Sequence, residues 1–372
     1  MASTEDIISA IRLINTDRIG PVKFYQLVDE FGALNNAVAF LEKNSKQKPW
    51  SMELAKDELV KAEKLGVKII LYTDEDYPYA LRGDRNAPPV LYVKGDSKAL
   101  VSFDKAIAIV GGRAASITGR KTAAKLAKEL TDAGVCVISG MARGIDTSAH
   151  KGAMYGLNQT GKTIAVLGTG IDIIYPPENK EVYEQIAKQG CIISEFLIGT
   201  KANSSNFPRR NRIVASLSEA ILVVEASNNS GSLITAQYGI DLQKMIFAVP
   251  GTPGESRTQG SNNLIKNGAI LVEDASDILP FLKGNKKVEQ QSLEQFTQKN
   301  LVFENNDDNY IEQEKTPETL KDYLTVDGVY IDELIRLTGK NASEIAMEII
   351  ELELSGIAER RAGNKIALTG DK

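Results

Sequence analysis

Histidine is nearly absent: His150 is the single imidazole in 372 residues. That excludes a metal site built from several histidines, and any His-based triad would have to use this one residue. Two cysteines, Cys136 and Cys191, lie in the apolar runs V-C-V-I-S and C-I-I-S. There a thiol reads as a small core residue, and neither a disulfide nor a metal role is expected. No apolar run approaches the ~18–20 residues needed to cross a bilayer. The start, M-A-S-T-E-D, lacks a signal peptide's basic and apolar segments, so the expected location is the cytoplasm. Positive charge is also in deficit, 44 Lys+Arg against 49 Asp+Glu. A surface coated in cations is excluded, and any polyanion must be held locally. The length suggests two or three domains and a large core.

Against that deficit, the stretch Lys201–Arg212 (K-A-N-S-S-N-F-P-R-R-N-R) holds four cations, Lys201, Arg209, Arg210 and Arg212, and no acid. Phe207 is the lone aromatic among them, with Pro208 stiffening the turn. Guanidinium groups beside a flat ring suit single-stranded nucleic acid, because phosphates pair with arginine and bases stack on rings. Read in isolation, the run is equally a solvated basic turn.

Four regions follow from pattern. Residues 1–72 read as a helical domain: apolar residues recur at three- and four-residue spacing in E-D-I-I-S-A-I-R-L-I, V-K-F-Y-Q-L-V-D-E-F-G and M-E-L-A-K-D-E-L-V-K-A-E-K-L-G, with Gly32 and Gly66 at C-cap positions. Between the first two helices, R-I-G-P-V at 18–22 resembles a helix-hairpin-helix turn, with a plain connector as the alternative. Residues 73–283 begin with an irregular connector and a short strand at 90–93. From about 105 to 282, unalternating apolar strands then exchange with amphipathic helices (A-I-A-I-V-G, V-C-V-I-S-G, T-I-A-V-L-G, C-I-I-S-E, A-I-L-V-V-E-A, M-I-F-A-V-P-G and A-I-L-V). That is the pattern of a parallel sheet covered on both faces, a doubly wound Rossmann-like α/β domain. Residues 284–315 read as an acidic flexible linker. Residues 316–372 read as three helices and a hairpin about Gly363-Asn364, the order of a winged helix.

In a doubly wound sheet, ligands bind beyond the carboxyl ends of the strands. Those ends carry Gly111-Gly112-Arg113, then S-G-M-A-R-G-I-D with Arg143, then G-T-G-I-D followed by Tyr175-Pro176-Pro177. Glu195 and the basic stretch come next, then Glu225 with S-G-S-L-I-T, then Pro250-Gly251. Tight turns explain some of these glycines. They do not explain Arg113, Arg143 and the basic stretch on one rim. Arg113, Arg143, Arg209, Arg210 and Arg212 are the expected phosphate contacts and Phe207 the stacking ring. Arg212 alternatively turns inward to a carboxylate such as Glu195 or Glu225.

Two nucleotide signals are discounted. Gly156-x4-Gly161-Lys162-Thr163 has the letters of a Walker A loop, but a helix precedes it and a strand follows, the reverse of the order that aims amides at phosphates. Neither Gly111-Gly112 nor Gly168-x-Gly170 completes a dinucleotide fingerprint, so no cofactor is expected. His150 reads as a packing or hydrogen-bonding residue rather than a general base.

Taken together, G-G-R, S-G-M-A-R-G-I-D-T-S-A-H, A-V-L-G-T-G-I-D-I-I-Y-P-P, S-E-F, F-P-R-R-N-R-I-V-A-S-L-S, V-V-E-A, S-G-S-L-I-T-A and V-P-G resemble the DprA (Smf) DNA-processing family over about 75–282. The resemblance implies a non-catalytic, single-stranded DNA-binding protein of bacterial natural transformation. It would protect incoming strands, dimerise through the Rossmann-like domain and help load the RecA recombinase. DNA contact would fall on Arg113, Lys201, Phe207, Arg209, Arg210, Asn211 and Arg212. Gly112 stands where the family usually has Thr or Ser, which removes one hydroxyl contact. The alternative is a nucleotide-processing enzyme resembling lysine-decarboxylase-like proteins, whose P-G-G-x-G-T-x-x-E signature is replaced here by S-N-N-S-G-S-L-I-T-A. In the winged helix, the helix that usually reads the groove carries Glu344, Glu348, Glu351 and Glu353 and no cation, so a protein contact is expected there, with at most the wing (Arg360, Arg361, Lys365) touching DNA.

Overall fold

The computed structural model describes residues 2–44, 48–159, 162–283, 319–325, 328–361 and 363–369. The chain opens with α1 (Thr4–Ile14), α2 (Pro21–Phe31), α3 (Leu34–Asn44) and α4 (Met52–Lys64). Local chemistry explains the boundaries. Ser3 and Asp6 form a reciprocal capping box on α1, Pro21 occupies the first turn of α2, and Gly32 ends that helix in the left-handed region at φ 72°. The sequence expectation lacked α3, although Leu34, Ala37, Val38 and Leu41 recur along it at helical spacing and are all buried.

Strands β1 (Lys68–Leu71) and β2 (Val90–Gly95) pair antiparallel. The boundary expected at 72 thus falls just past a strand that belongs with the sheet. The alternating core follows as β3 (Ala106–Val110), α5 (Ile117–Asp132), β4 (Cys136–Ser139), α6 (Ile145–Gln159), β5 (Thr163–Leu167), α7 (Lys180–Gln189) and β6 (Cys191–Ser194). It continues through α8 (Asn206–Leu217), β7 (Ala220–Val223), α9 (Gly231–Asp241), β8 (Met245–Ala248), α10 (Gln259–Lys266) and β9 (Ile270–Leu271). The sheet order is β1-β2-β6-β5-β4-β3-β7-β8-β9, with seven parallel strands from β6 to β9 and the antiparallel pair at one edge. Every residue of β3, β4, β5, β6 and β7 is buried, as expected of strands covered on both faces.

The chain runs from β3 outward to β6, then returns to place β7 on the other side of β3. That reversal between β3 and β7 is the topological switch point, where a crevice opens beyond the strand ends. The Walker-like letters fall as expected between α6 and β5, in the wrong order for a phosphate loop, and Gly161 lies outside the described residues.

The expected linker and residues 316–318, where the first of the three helices was expected to open, also lie outside the described residues; just after them the chain makes only a 3-10 turn, Leu320–Tyr323. Beyond them, β10 (Val329–Tyr330), α11 (Ile331–Thr338), α12 (Ala342–Leu354), β11 (Ala358–Arg361) and β12 (Lys365–Leu368) form a winged helix with a three-stranded sheet. This unit rests on α5: Lys121 Nζ lies 2.6 Å from Glu333, Arg120 lies 5.8 Å from the Tyr323 ring centroid, and Ile117 joins the cluster of Leu320, Leu334 and Ile345. No described helix is long and apolar enough to cross a membrane.

Candidate nucleic-acid interface

A cavity of about 280 Å³ opens at the switch point. Its lining comes from the ends of β3 (Gly111, Arg113) and β4 (Gly140), from Tyr175 after β5, and from the starts of α8 and α9. Ala202, Asn203 and Ser204, the middle of the basic stretch, complete it. The N-termini of α8 and α9 both face the cavity, and neither has an acid in its first turn. Their amides and dipoles add positive potential to that of the arginines, which suits an anion.

The second half of the basic stretch is helical, not the loop expected. Helix α8 begins at Asn206, and Pro208 sits in its first turn, where the missing amide costs nothing. At about 100° per residue, neighbouring arginines cannot share a direction. Arg209 and Arg212, three apart, both turn to Glu195, which is buried after β6. Arg212 pairs with it directly and donates to Asn86 O at 2.7 Å, leaving 16% of its side chain exposed. Arg209 stays 3.9 Å from the same carboxylate, 5.0 Å from the Phe196 ring, and 56% exposed.

Arg210 turns the other way, into the protein, with 4% of its surface exposed. Its Nη1 donates to the Gly140 and Val166 carbonyls, the latter at 2.7 Å, and its Nε donates to Asn211 Oδ1 at 3.1 Å. Burial lowers its pKa to about 10, so it remains a cation at neutral pH. It offsets the buried Asp146, whose Oδ2 accepts the Gly140 and Ala142 amides; burial pushes the Asp146 carboxyl up, and Arg210 opposes that. A Cβ on Gly140 would overlap the Arg210 guanidinium, so glycine is required there. The expectation of Arg210 as a surface phosphate clamp is therefore corrected: the side chain is buried, with Nη1 committed to backbone carbonyls and Nε to Asn211, and only one edge lines the cavity.

Phe207 is half-buried at the cavity wall, against Gly168, where a Cβ would meet the ring at 2.8 Å. The Arg113 guanidinium lies 5.1 Å from its centroid and the Tyr175 ring 5.6 Å away at 33°. A cation and two π-faces thus gather at one wall. Sequence reasoning did not select Tyr175 as a site residue. The aromatic beside Pro176 was visible, but its proximity to Phe207 depends on the packing of the β5 loop on α8. Asn211 donates to Gly231 O at 3.2 Å, tying α8 to the start of α9.

The other expected residues are placed nearby rather than in the wall. Arg143 pairs with Glu178 and is partly exposed, and Lys201 is exposed at the start of the basic stretch. The Gly112 amide donates to Glu225 O at 2.6 Å. A Cβ at 112 would come no closer than 3.5 Å to that same oxygen, so packing leaves room for a small side chain. The Glu225 carboxylate faces α5, accepting the Ser116 amide at 2.8 Å and hydroxyl at 2.6 Å. Of the residues lining the cavity, Asp146 is the sole acid, and the segment set against the enzyme signature supplies Ser230, Gly231, Ser232 and Thr235.

His150 is fully buried. Thr163 Oγ1 spends its proton on Val137 O at 2.6 Å, so it accepts from Nδ1 of His150 at 2.8 Å and the ring carries its proton there. Burial lowers its pKa to about 3, with Arg210 adding to the fall. An unfolded chain binds this proton near pH 6.5 and the folded one does not. Stability is therefore lost as the pH falls below about 6.5, down towards 3. Denaturant melts across that range check this: the wild type should weaken on acidification, and a His150→Gln variant should lose part of that dependence.

Residues 68–283 match the family model for DNA recombination-mediator protein A. Residues 4–64 match a DprA-like N-terminal HHH domain and residues 308–364 a DprA winged helix domain. Protein Smf of Synechocystis is 33% identical over 315 residues, 78% of this chain and 77% of its own. DNA processing protein DprA of Streptococcus pneumoniae is 40% identical over 206 residues, 55% of this chain and 71% of its own. The X-ray structure of the pneumococcal DNA processing protein A aligns with a TM-score of 0.62 at 31% identity, covering 76% of this chain and 99% of that one. A structure of the Helicobacter pylori DNA processing protein A, concerned with its binding of single-stranded DNA, aligns with a TM-score of 0.52 at 28% identity, covering 57% and 94%.

Proposed function

We propose, since the chain belongs to the DNA recombination-mediator protein A (DprA/Smf) family, that it is a non-catalytic binder of single-stranded DNA acting in DNA processing during natural transformation. The observation that carries this reading is the Arg113–Phe207–Tyr175 group at the switch-point cavity. Phosphates run along Arg113, Lys201 and Arg209, and an unpaired base stacks on Phe207 with Tyr175 beside it. Arg210, Arg212 and Asn211 act from behind: they hold the start of α8 against the sheet, Glu195 and α9. Arg143 and Gly112 flank the path. A duplex offers no free base faces, so it loses the stacking contribution. The H. pylori relative, described by its binding of single-stranded DNA, supports the same polymer here.

The family's description as a recombination mediator supports a further part of the proposal, that the chain passes its strand to the RecA recombinase. The proposal also includes a homodimer joined through the Rossmann-like domain, working in the cytoplasm.

Charge arithmetic supplies a test. With Arg210 inside the protein, three cations (Arg113, Lys201, Arg209) neutralise phosphate, and log K against log salt should slope about −2 for a single strand, rather than the about −3 of four contacts. Fluorescence anisotropy of a labelled oligonucleotide across a salt series reads this. A flat response would sink the electrostatic half of the proposal.

A further inference from the structure

We propose that the outer face of α12 is a docking surface for a basic amphipathic helix of a protein partner. The inner face of this helix is spent on its own domain, with Ile345 and Ile349 fully buried against Leu334 and Ile366. The outer face carries Met347, 67% exposed, Ile350, 47%, and Leu354, 83%. These three follow one another at spacings of three and four residues, making a continuous apolar ridge about 10 Å long. The domain meets the core through Tyr323 and Glu333, so no described residue covers this ridge.

Charge decides among the possible occupants. Acids flank the ridge and α12 has no cation. Glu348 and Glu353 are answered within the domain by Lys340 and Arg360, and Glu344 caps the helix start at Asn341. Glu351 stands exposed beside Ile350 and is in no ion pair among the described residues. A duplex would bring phosphates to this face and be repelled. The chain's own segment 288–319 holds eight acids against two lysines and is repelled likewise. A second α12 would set glutamate against glutamate. An apolar stripe flanked by Lys or Arg satisfies both the ridge and Glu351, which is recognition of an amphipathic helix by apolar anchors with the charges reversed from a DNA reader.

The inference is independent of the single-strand reading, and it is tested on the full chain with two synthetic helical peptides of about 18 residues, one of leucine and lysine and the other with glutamate for every lysine. Anisotropy titrations should show binding of the lysine peptide alone. Met347→Ser/Leu354→Ser should weaken it by about tenfold or more, as for removal of two anchors, and Glu351→Lys by several-fold. All three substitutions are at exposed positions, so the far-UV circular dichroism spectrum and thermal melt of the same samples should not change and serve as the folding control. Equal affinity of the wild type and both variants for the lysine peptide would overturn the proposal. So would duplex binding lost in the ridge variant, or wild-type self-association in sedimentation that the ridge variant abolishes.

Discussion

An Arg210→Ala variant is expected to lose about 3–5 kcal/mol of stability, while Arg209→Ala, one residue away, stays within about 0.5 kcal/mol of wild type. The contrast follows from helix geometry. Arg209 is more than half exposed beside Glu195, and removing it returns a surface to water. Arg210 is buried, and removing it strips the Gly140 and Val166 carbonyls of their donor and leaves Asp146 without the cation that offsets it. Both losses fall on buried groups, whose desolvation is then left uncompensated. Urea denaturation of the two variants reads the difference as a shift in midpoint at unchanged slope. Loss of DNA binding by Arg210→Ala therefore says nothing about a phosphate contact unless the variant is shown to be folded. An Arg210→Ala protein of wild-type stability with selectively lost binding would contradict the inward arginine.

The second large effect is expected at Phe207. Alanine there should weaken single-stranded DNA binding by about 1–3 kcal/mol, roughly five- to 150-fold, the worth of one base stacked on a ring. Phe207→Leu separates the two ways the ring could act: it keeps apolar volume against Gly168 and removes the π-face seen by Arg113, Tyr175 and a base. If stacking carries the effect, leucine behaves like alanine. If Phe207 is a packing residue, leucine behaves like wild type and the stacking claim fails. Tyr175→Ala should show the same sign with a smaller loss, since its ring is tilted at the edge of the Phe207 face.

How much of this was legible in the sequence depended on whether the signal was local. The parallel strands were, because strands buried on both faces must be continuous apolar runs, and β3 through β7 are. The short edge strand β1 was not, since four residues after a helix carry little pattern. The basic block was legible as charge but not as direction. Read as a loop, it allowed every arginine to face outward. Helical from Asn206, it separates Arg209 from Arg210 by a quarter turn and more, and only the fold shows the bare Gly140 that admits a guanidinium. Arg212 was expected at a phosphate, with an inward turn to Glu195 or Glu225 as the alternative; the inward turn is what the fold shows, and Glu195 receives it while Glu225 is held by Ser116. Tyr175 was visible but unassigned for the opposite reason: no residue within four positions of it is aromatic or basic, and its partner lies 32 residues on, at Phe207.

The most direct test of the central claim is a titration of the full chain with one oligonucleotide in single-stranded and duplex form at a fixed salt concentration, repeated with Phe207→Ala. The account predicts tighter binding of the single strand, with the substitution removing most of that preference and leaving the weaker duplex affinity nearly unchanged, because phosphate pairing survives while stacking does not. Equal affinity of the wild type for the two forms, or a preference that survives the loss of Phe207, would contradict it.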